Sequence, residues 1–203
     1  MNDGLVRPLD EMVTKHGAAL SKSQLITVNG KVMAVAFMAN AQHLFSRTDV
    51  LEAAGVGAIP ATYEDVLAAA EKIRAAGLME YPVALNTKAG WNLAEEFVNM
   101  YMGTGADFFK SGTAEAAVNN ENGVATLEML KSLVAYSNPD YLTYDSNATQ
   151  AEWEAGNLAL ATMWGSRGSA VLDDEGSTAE VVAGTVLSAA PTWGNGARPA
   201  STL

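Results

Sequence analysis

The stretch from Pro60 to Asn86, PATYEDVLAAAEKIRAAGLMEYPVALN, decides the fold class. Thr62 is placed to cap a helix, because its hydroxyl can accept a free first-turn N–H from Asp65 or its neighbour. Glu64 and Asp65 put negative charge where the helix dipole favours it. Val66, Leu67, Ala70 and Ile73 then recur at helical spacing on one face, followed by Arg74. Gly77 offers the left-handed position that ends a helix. Tyr81 to Asn86 reads as a short buried strand. A helix feeding a buried strand is half of a βαβ unit.

The flanking sequence repeats the alternation. Leu5 to Leu25 reads as a loosely amphipathic helix and loop, with Pro8 near its start. Asn29-Gly30 signals a tight turn. Lys31 to Met38 (KVMAVAFM) is a near-continuous apolar run that predicts a strand covered on both faces. Helices are expected over about Trp91–Met102, closed by Gly103, and over Asn122–Ser137, stopped by Asn138-Pro139. A short helix centred on Trp153 precedes a buried strand, Leu158–Met163, and Gly184–Ala190 forms the last strand. Strands alternating with helices predict an α/β fold with a mainly parallel sheet.

Composition excludes several classes. The 203 residues carry 12 basic against 23 acidic side chains, a formal net charge of −11. Phosphate binding needs a concentrated basic face, and the densest basic pair is Lys72 with Arg74, so nucleic acid is not a partner. Cysteine is absent, which removes disulfides and thiolate metal sites and leaves the compartment open. The best apolar run, Val32–Ala41, is strand-sized and too short to span a membrane. Met1 leads straight into Asn2-Asp3-Gly4 without a basic-then-apolar leader.

No catalytic constellation is legible. Trp164-Gly165-Ser166-Arg167-Gly168 has part of a nucleophile elbow, without its first glycine. Both histidines, His16 and His43, lie upstream of Ser166, whereas an elbow's histidine follows it. Gly103-Thr104-Gly105 and Gly194-Asn195-Gly196 lack the lysine or helix start that phosphate cradling needs. Asp173-Asp174-Glu175 lacks the alternating ligands of a calcium loop and reads as a solvated turn. No cofactor and no metal are expected.

What stands out is planar and polar side chains at strand ends, where ligands gather in open α/β sheets. Asn40, Gln42 and His43 follow the expected strand at 31–38. Asn86, Lys88 and Trp91 lie at or past the strand at 81–86. Trp164, Ser166 and Arg167 follow the strand at 158–163. Sugars present apolar C–H faces and a ring of hydroxyls, which suit stacking on tryptophan and bonds to amides and guanidinium. Each position has a plainer reading too. Trp91 and Trp164 can pack in the core, as Trp153 is expected to do. Arg167 can pair at the surface with Asp173 or Asp174, His43 can be structural, and Trp193 can anchor a loop.

The same residues carry a resemblance to family 1 extracellular solute-binding proteins, the group that includes the maltose-binding protein. GLVRPLDEMV is similar to a passage closing part of the family's first lobe. VNGKVMAVAF…LFSRTDVLEAAGV resembles its hinge strand and the strand and helix that follow. IPATYEDVLAAAEKIRAAG resembles its proline–x–threonine–aromatic helix start, with Tyr63 where tryptophan is usual. WEAGNLALATMWGSRG and GTVLSAAPTWGNGARPAST resemble a helix–glycine–strand passage and a strand returning towards the hinge. Ser46, where the family often has tyrosine, and Ser166-Arg167, where a tryptophan can stand, are departures.

The resemblance implies a type II periplasmic-binding-protein lobe, mainly one three-layer α/β/α unit with hinge-crossing segments. It divides the chain into 1–39 (first-lobe segment and hinge strand), 40–190 (second lobe) and 191–203 (return segment). It further implies an incomplete chain and a periplasmic or extracellular receptor, soluble or a cell-surface lipoprotein. Such a receptor captures a sugar or sugar alcohol and passes it to the permease subunits of an ABC importer, meeting the membrane only through them or a lipid anchor. Asn40, Gln42, Lys88, Trp91, Trp164 and Arg167 would meet the ligand, and the chain would not be an enzyme. A Rossmann-like enzyme fragment whose catalytic groups lie outside this sequence, and a ligand-free interaction domain, stand as alternatives.

Overall fold

The computed structural model describes residues 4–194; residues 195–203, the end of the return segment, lie outside the described residues together with 1–3. The chain forms two units, Met1–Ala39 and Asn40–Leu203.

The first unit holds helix α1 (Asp10–His16) and a two-stranded antiparallel hairpin, β1 (Leu25–Val28) and β2 (Lys31–Val35). Asn29 and Gly30 both take positive φ, 51° and 77°, and join Val28 to its partner Lys31, as the tight-turn signal predicts. The expectation of a strand covered on both faces does not hold. Pairing stops at Val35, the strand is half-buried, and Phe37 and Met38 are exposed. A two-stranded ribbon offers its apolar residues only partial cover, which is all that this run receives.

The second unit is built on a four-stranded sheet in the order β4-β5-β3-β6: β3 (Gln42–Arg47), β4 (Val83–Ala84), β5 (Leu160–Trp164) and β6 (Thr185–Ala189). β4 runs parallel to β5, but β3 is antiparallel to both β5 and β6. The sheet is therefore mixed, which corrects the mainly parallel expectation. The apolar run at 31–38 does form a strand, β2, but in the hairpin of the first unit and not in this sheet, whose β3 the periodicity misses. Leu44-Phe45 is too short an apolar signal, because Ser46 and Arg47 beside it are polar and yet buried.

Successive side chains of a strand point to opposite faces, and here they divide between two cores. Leu44, Val83, Leu85 and Leu160 pack with α2 (Thr48–Ala53), α3 (Tyr63–Ala75), α4 (Trp91–Gly103) and α5 (Glu121–Val134). Phe45, Ala84, Ala161 and Met163 pack with Trp153 of α6 (Ser146–Glu154), Val171 of α7 (Gly168–Val171) and Val181 of α8 (Ala179–Gly184). The result is the expected α/β/α sandwich.

Local signals set most boundaries. Thr62 Oγ1 accepts from Asp65 N at 3.0 Å, and the Asp65 carboxylate accepts from Thr62 N at 3.1 Å, closing a capping box. Gly77 sits at φ 70° after the last turn, where a side chain would be strained. Trp153 is fully buried and donates through Nε1 to Thr185 Oγ1 at 3.1 Å. α4 runs through Gly103, and Gly105 takes the left-handed position instead. On α5, Val124 and Leu127 are exposed rather than packed in the core. Among the described residues, no helix is long and apolar enough to cross a membrane.

Candidate ligand-binding site

Because β4, β5 and β6 share one direction and β3 opposes them, the exits of the three meet the entry of the fourth. Gln42 at the start of β3 pairs with Trp164 at the end of β5, and His43 pairs with Ala189 at the end of β6. Within this sheet Asn40 thus precedes β3 and Gln42 opens it, and the reversed strand returns them to the rim where ligands of open α/β sheets gather.

Three turns meet at this rim. After β5 the chain makes a 3₁₀ turn over Gly165–Arg167. Gly165 N donates to Ala41 O at 2.7 Å, and a Cβ on Gly165 would lie 2.9 Å from the His43 ring, so only glycine permits this approach. Asn40 Nδ2 donates to Ser166 Oγ at 3.0 Å while its Oδ1 accepts from Ser166 N at 3.2 Å. From the third turn, Trp91 opens α4 and stacks on Trp164, with ring centroids 5.9 Å apart and planes inclined by 22°. Trp91 is 63% exposed, which excludes the reading of it as a core cap. Trp164 is half-buried.

Arg167 turns to α6 rather than to Asp173 or Asp174. Its Nη1 donates to Gln150 Oε1 at 2.9 Å and its Nη2 to Asn147 Oδ1 at 2.8 Å. Both partners are neutral amides, so these bonds aim the guanidinium without cancelling its charge. Lys88 is exposed and lies 3.0 Å from the Asp145 carboxylate, which it and backbone donors hold below the ordinary carboxylate value.

Gln42 differs from its expectation. It is buried on β3, where its Nε2 donates to Glu96 Oε1 at 3.0 Å and its Oε1 accepts from Asn99 Nδ2 at 2.8 Å. Both ends of its amide are thus committed inside the protein. His43 is half-buried with Nδ1 at 3.0 Å from Ala41 O, a structural role. Trp193 donates to Met100 O at 2.9 Å and packs edge-on against Tyr63, anchoring its loop. Asp173, Asp174 and Glu175 are exposed, and among the described residues no cluster of acidic or histidine side chains could hold a metal ion.

The sequence reading missed Glu96. It is buried on α4, and its Oε1 accepts from Asn86 N at 3.0 Å, Asn86 Nδ2 at 2.9 Å and Gln42 Nε2, while Oε2 accepts from Thr162 Oγ1 at 3.2 Å. Burial pushes its carboxyl up to about 7, against those donors, which favour the charged form. The signal was present: Leu93, Glu96, Phe97 and Met100 share the spacing of one helix face, and one of the four is charged.

A separate open groove of about 700 Å³ lies between α4 and α5, lined by Leu93, Phe97, Leu127, Leu130 and Leu142 among others. Its walls are almost entirely apolar, and a hydroxyl-rich ligand would lose hydrogen bonds there. The rim at Trp91 and Trp164 combines stacking faces with amide and guanidinium donors.

An α/β sandwich with planar and polar groups gathered at its strand exits is the build of a ligand-holding lobe. The model of the bacterial extracellular solute-binding protein family matches residues 1–202, and the chain belongs to that family. A probable ABC transporter-binding protein of Deinococcus radiodurans is 29% identical over 182 residues, covering 87% of this chain and 42% of that protein. Among solved structures, the ribitol complex of an ABC transporter solute-binding protein from Agrobacterium radiobacter K84 superposes with a TM-score of 0.82 at 24% identity. It covers 98% of this chain and 51% of the other. Maltose-bound T. maritima MalE3 gives 0.83 at 20% identity, covering 95% and 50%. The chain thus spans about half the length of the relatives it matches, and at these identities the solved structures speak for its fold.

Proposed function

We propose that this chain forms one lobe, with hinge segments, of an extracytoplasmic receptor that captures a sugar or sugar alcohol for an ABC importer. The observation that carries the proposal is the Trp91–Trp164 stack beside Asn40, Ser166 and an Arg167 whose charge is not cancelled. The exposed face of Trp91 is a platform for the C–H face of a sugar or the backbone of a polyol. Arg167, Asn40 and Lys88 supply hydrogen bonds to hydroxyls at the edge of that platform. Gln42 acts from behind, as part of the wall that supports it. The ribitol and maltose held by the two structural neighbours belong to the same ligand class.

The reading of the role as binding is supported by groups at the rim that stack and donate, the contacts a sugar or polyol needs. The unit boundary between Ala39 and Asn40, with the segment at Pro191, is the place for a hinge, and closure would exclude water from the ligand. Delivery to permease subunits follows from the role of such receptors, and a periplasmic or membrane-anchored setting suits it. Titration calorimetry of the full-length protein with ribitol, maltose and a panel of sugars and polyols tests the proposal. Saturable heat from at least one is expected; none from any would overturn it.

A further inference from the structure

We propose that Glu96 is the positioning residue of the rim: its carboxylate ties α4 to three strands so that Trp91 lies over Trp164. The inference rests on the reading of that rim as the ligand site, and it assigns a residue that the ligand itself does not touch.

The geometry is specific. Gln42 belongs to β3, Asn86 follows β4 and Thr162 belongs to β5, and all three donate to this one side chain. Asn86 is locked further, since its Nδ2 also donates to Thr162 O at 3.2 Å. Gln42 and Thr162 lie on the same sheet face as Leu44 and Leu160, the face that α4 covers. The next residue along that face of β5 is Trp164, paired with Gln42. The ties therefore lie directly beneath the stacked rings.

Trp91 cannot be placed by packing, because most of it faces solvent. Its position is set by the helix that starts with it, which Glu96 ties to all three strand segments while Asn99 adds one bond to Gln42 of β3. An apolar residue at 96 would fill the space without fixing the helix's rotation. Four directed hydrogen bonds fix rotation and translation together. Such a buried network is retained at a cost in desolvation, so a positional role accounts for it better than stability does. Of the titratable groups beside it, Tyr63 approaches from α3 and Glu95 lies on its own helix. No cation is among its hydrogen-bond partners in the described residues.

The test needs no ligand and so can fail separately from the receptor reading. Two stacked indoles give an exciton couplet in circular dichroism, identified here by its loss in both Trp91→Phe and Trp164→Phe. Glu96→Ala should lose most of the couplet while the helical signal stays within about a tenth of wild type, and Glu96→Gln, which keeps an acceptor for Asn86 and Gln42, should restore it. An undiminished couplet in Glu96→Ala would overturn the assignment, as would a Gln variant no better than Ala. Should Glu96→Ala not fold, Thr162→Val and Gln42→Ala decide: each removes one strand's donor to Glu96 and should weaken the couplet at least twofold, and wild-type amplitude in both would overturn it.

Discussion

Trp91 stacks on Trp164 although the two enter from different elements, one opening α4 and the other closing β5. The exposed ring and its half-buried partner carry different loads. Trp91→Ala should cost little stability, under about 1 kcal/mol, since it gives up little buried surface. It should weaken sugar or polyol binding by roughly 10- to 100-fold, in line with the loss of one stacking anchor. Urea denaturation alongside calorimetry on the full-length protein separates the two effects. A large stability loss with unchanged affinity would show Trp91 to be structural.

Arg167 is aimed by two neutral amides, so its function should depend on planar geometry as well as on charge. Arg167→Lys keeps the charge but cannot reach Gln150 and Asn147 together. It should bind ligand at least tenfold more weakly than wild type, with an unfolding midpoint nearly unchanged. Gln150→Ala, which leaves Arg167 in place, should show a smaller loss in the same direction.

The parts of the fold legible in the sequence are those written by neighbours in the chain. Thr62 with Asp65, Gly77 after Ala76, and Asn29-Gly30 each satisfy or release backbone within a few residues, and all act where their pattern indicates. β3 was obscured because its pairing is wholly tertiary. Its partners β5 and β6 lie more than a hundred residues away, and its buried Ser46 and Arg47 look like surface. Arg47 is kept inside by Asp49, whose carboxylate it holds below the ordinary value. At the rim, residue types at strand ends were enough to single out Asn40, Trp91, Trp164 and Arg167 as groups that the fold gathers in one place. They could not separate Gln42, spent on Glu96 and Asn99, from groups left free for a ligand. Val124 and Leu127 show the converse, since apolar spacing does not reveal whether another element covers it.

Trp153 fills the core beneath the α6 face, fully buried, edge-on to Phe45 with centroids 5.9 Å apart. Trp153→Ala should destabilise the unit by roughly 3–5 kcal/mol, chiefly through the cavity, since the Thr185 hydroxyl keeps its bond to Val181 O. That is a large part of the stability of an ordinary domain. The urea midpoint should fall steeply, or the variant should populate unfolded chain in buffer. A loss below about 1 kcal/mol would mean that the core on this face repacks freely.

Glu96 gives the unit a pH dependence of definite sign. Its folded carboxyl titrates at about 7, whereas an unfolded glutamate titrates near 4.5. Between those values the folded chain holds a proton that the unfolded chain has released, so stability falls as pH rises through this window. The contribution is fully present below the unfolded value and lost above the folded one, and its size is on the order of 3 kcal/mol. The proton belongs on Oε2, where the Thr162 hydroxyl can turn from donor to acceptor, while Oε1 keeps its three donors. Glu96→Gln imitates that state at every pH. The stability difference, variant minus wild type, should therefore be small near pH 4.5 and grow in the variant's favour up to about pH 8. Asp49 and Asp145 respond in the opposite sense at lower pH, but they are common to both proteins and cancel in the difference. Urea unfolding of the two proteins across this range measures it, and a difference that stays flat with pH would mean that Glu96 is ionised in the fold at no cost.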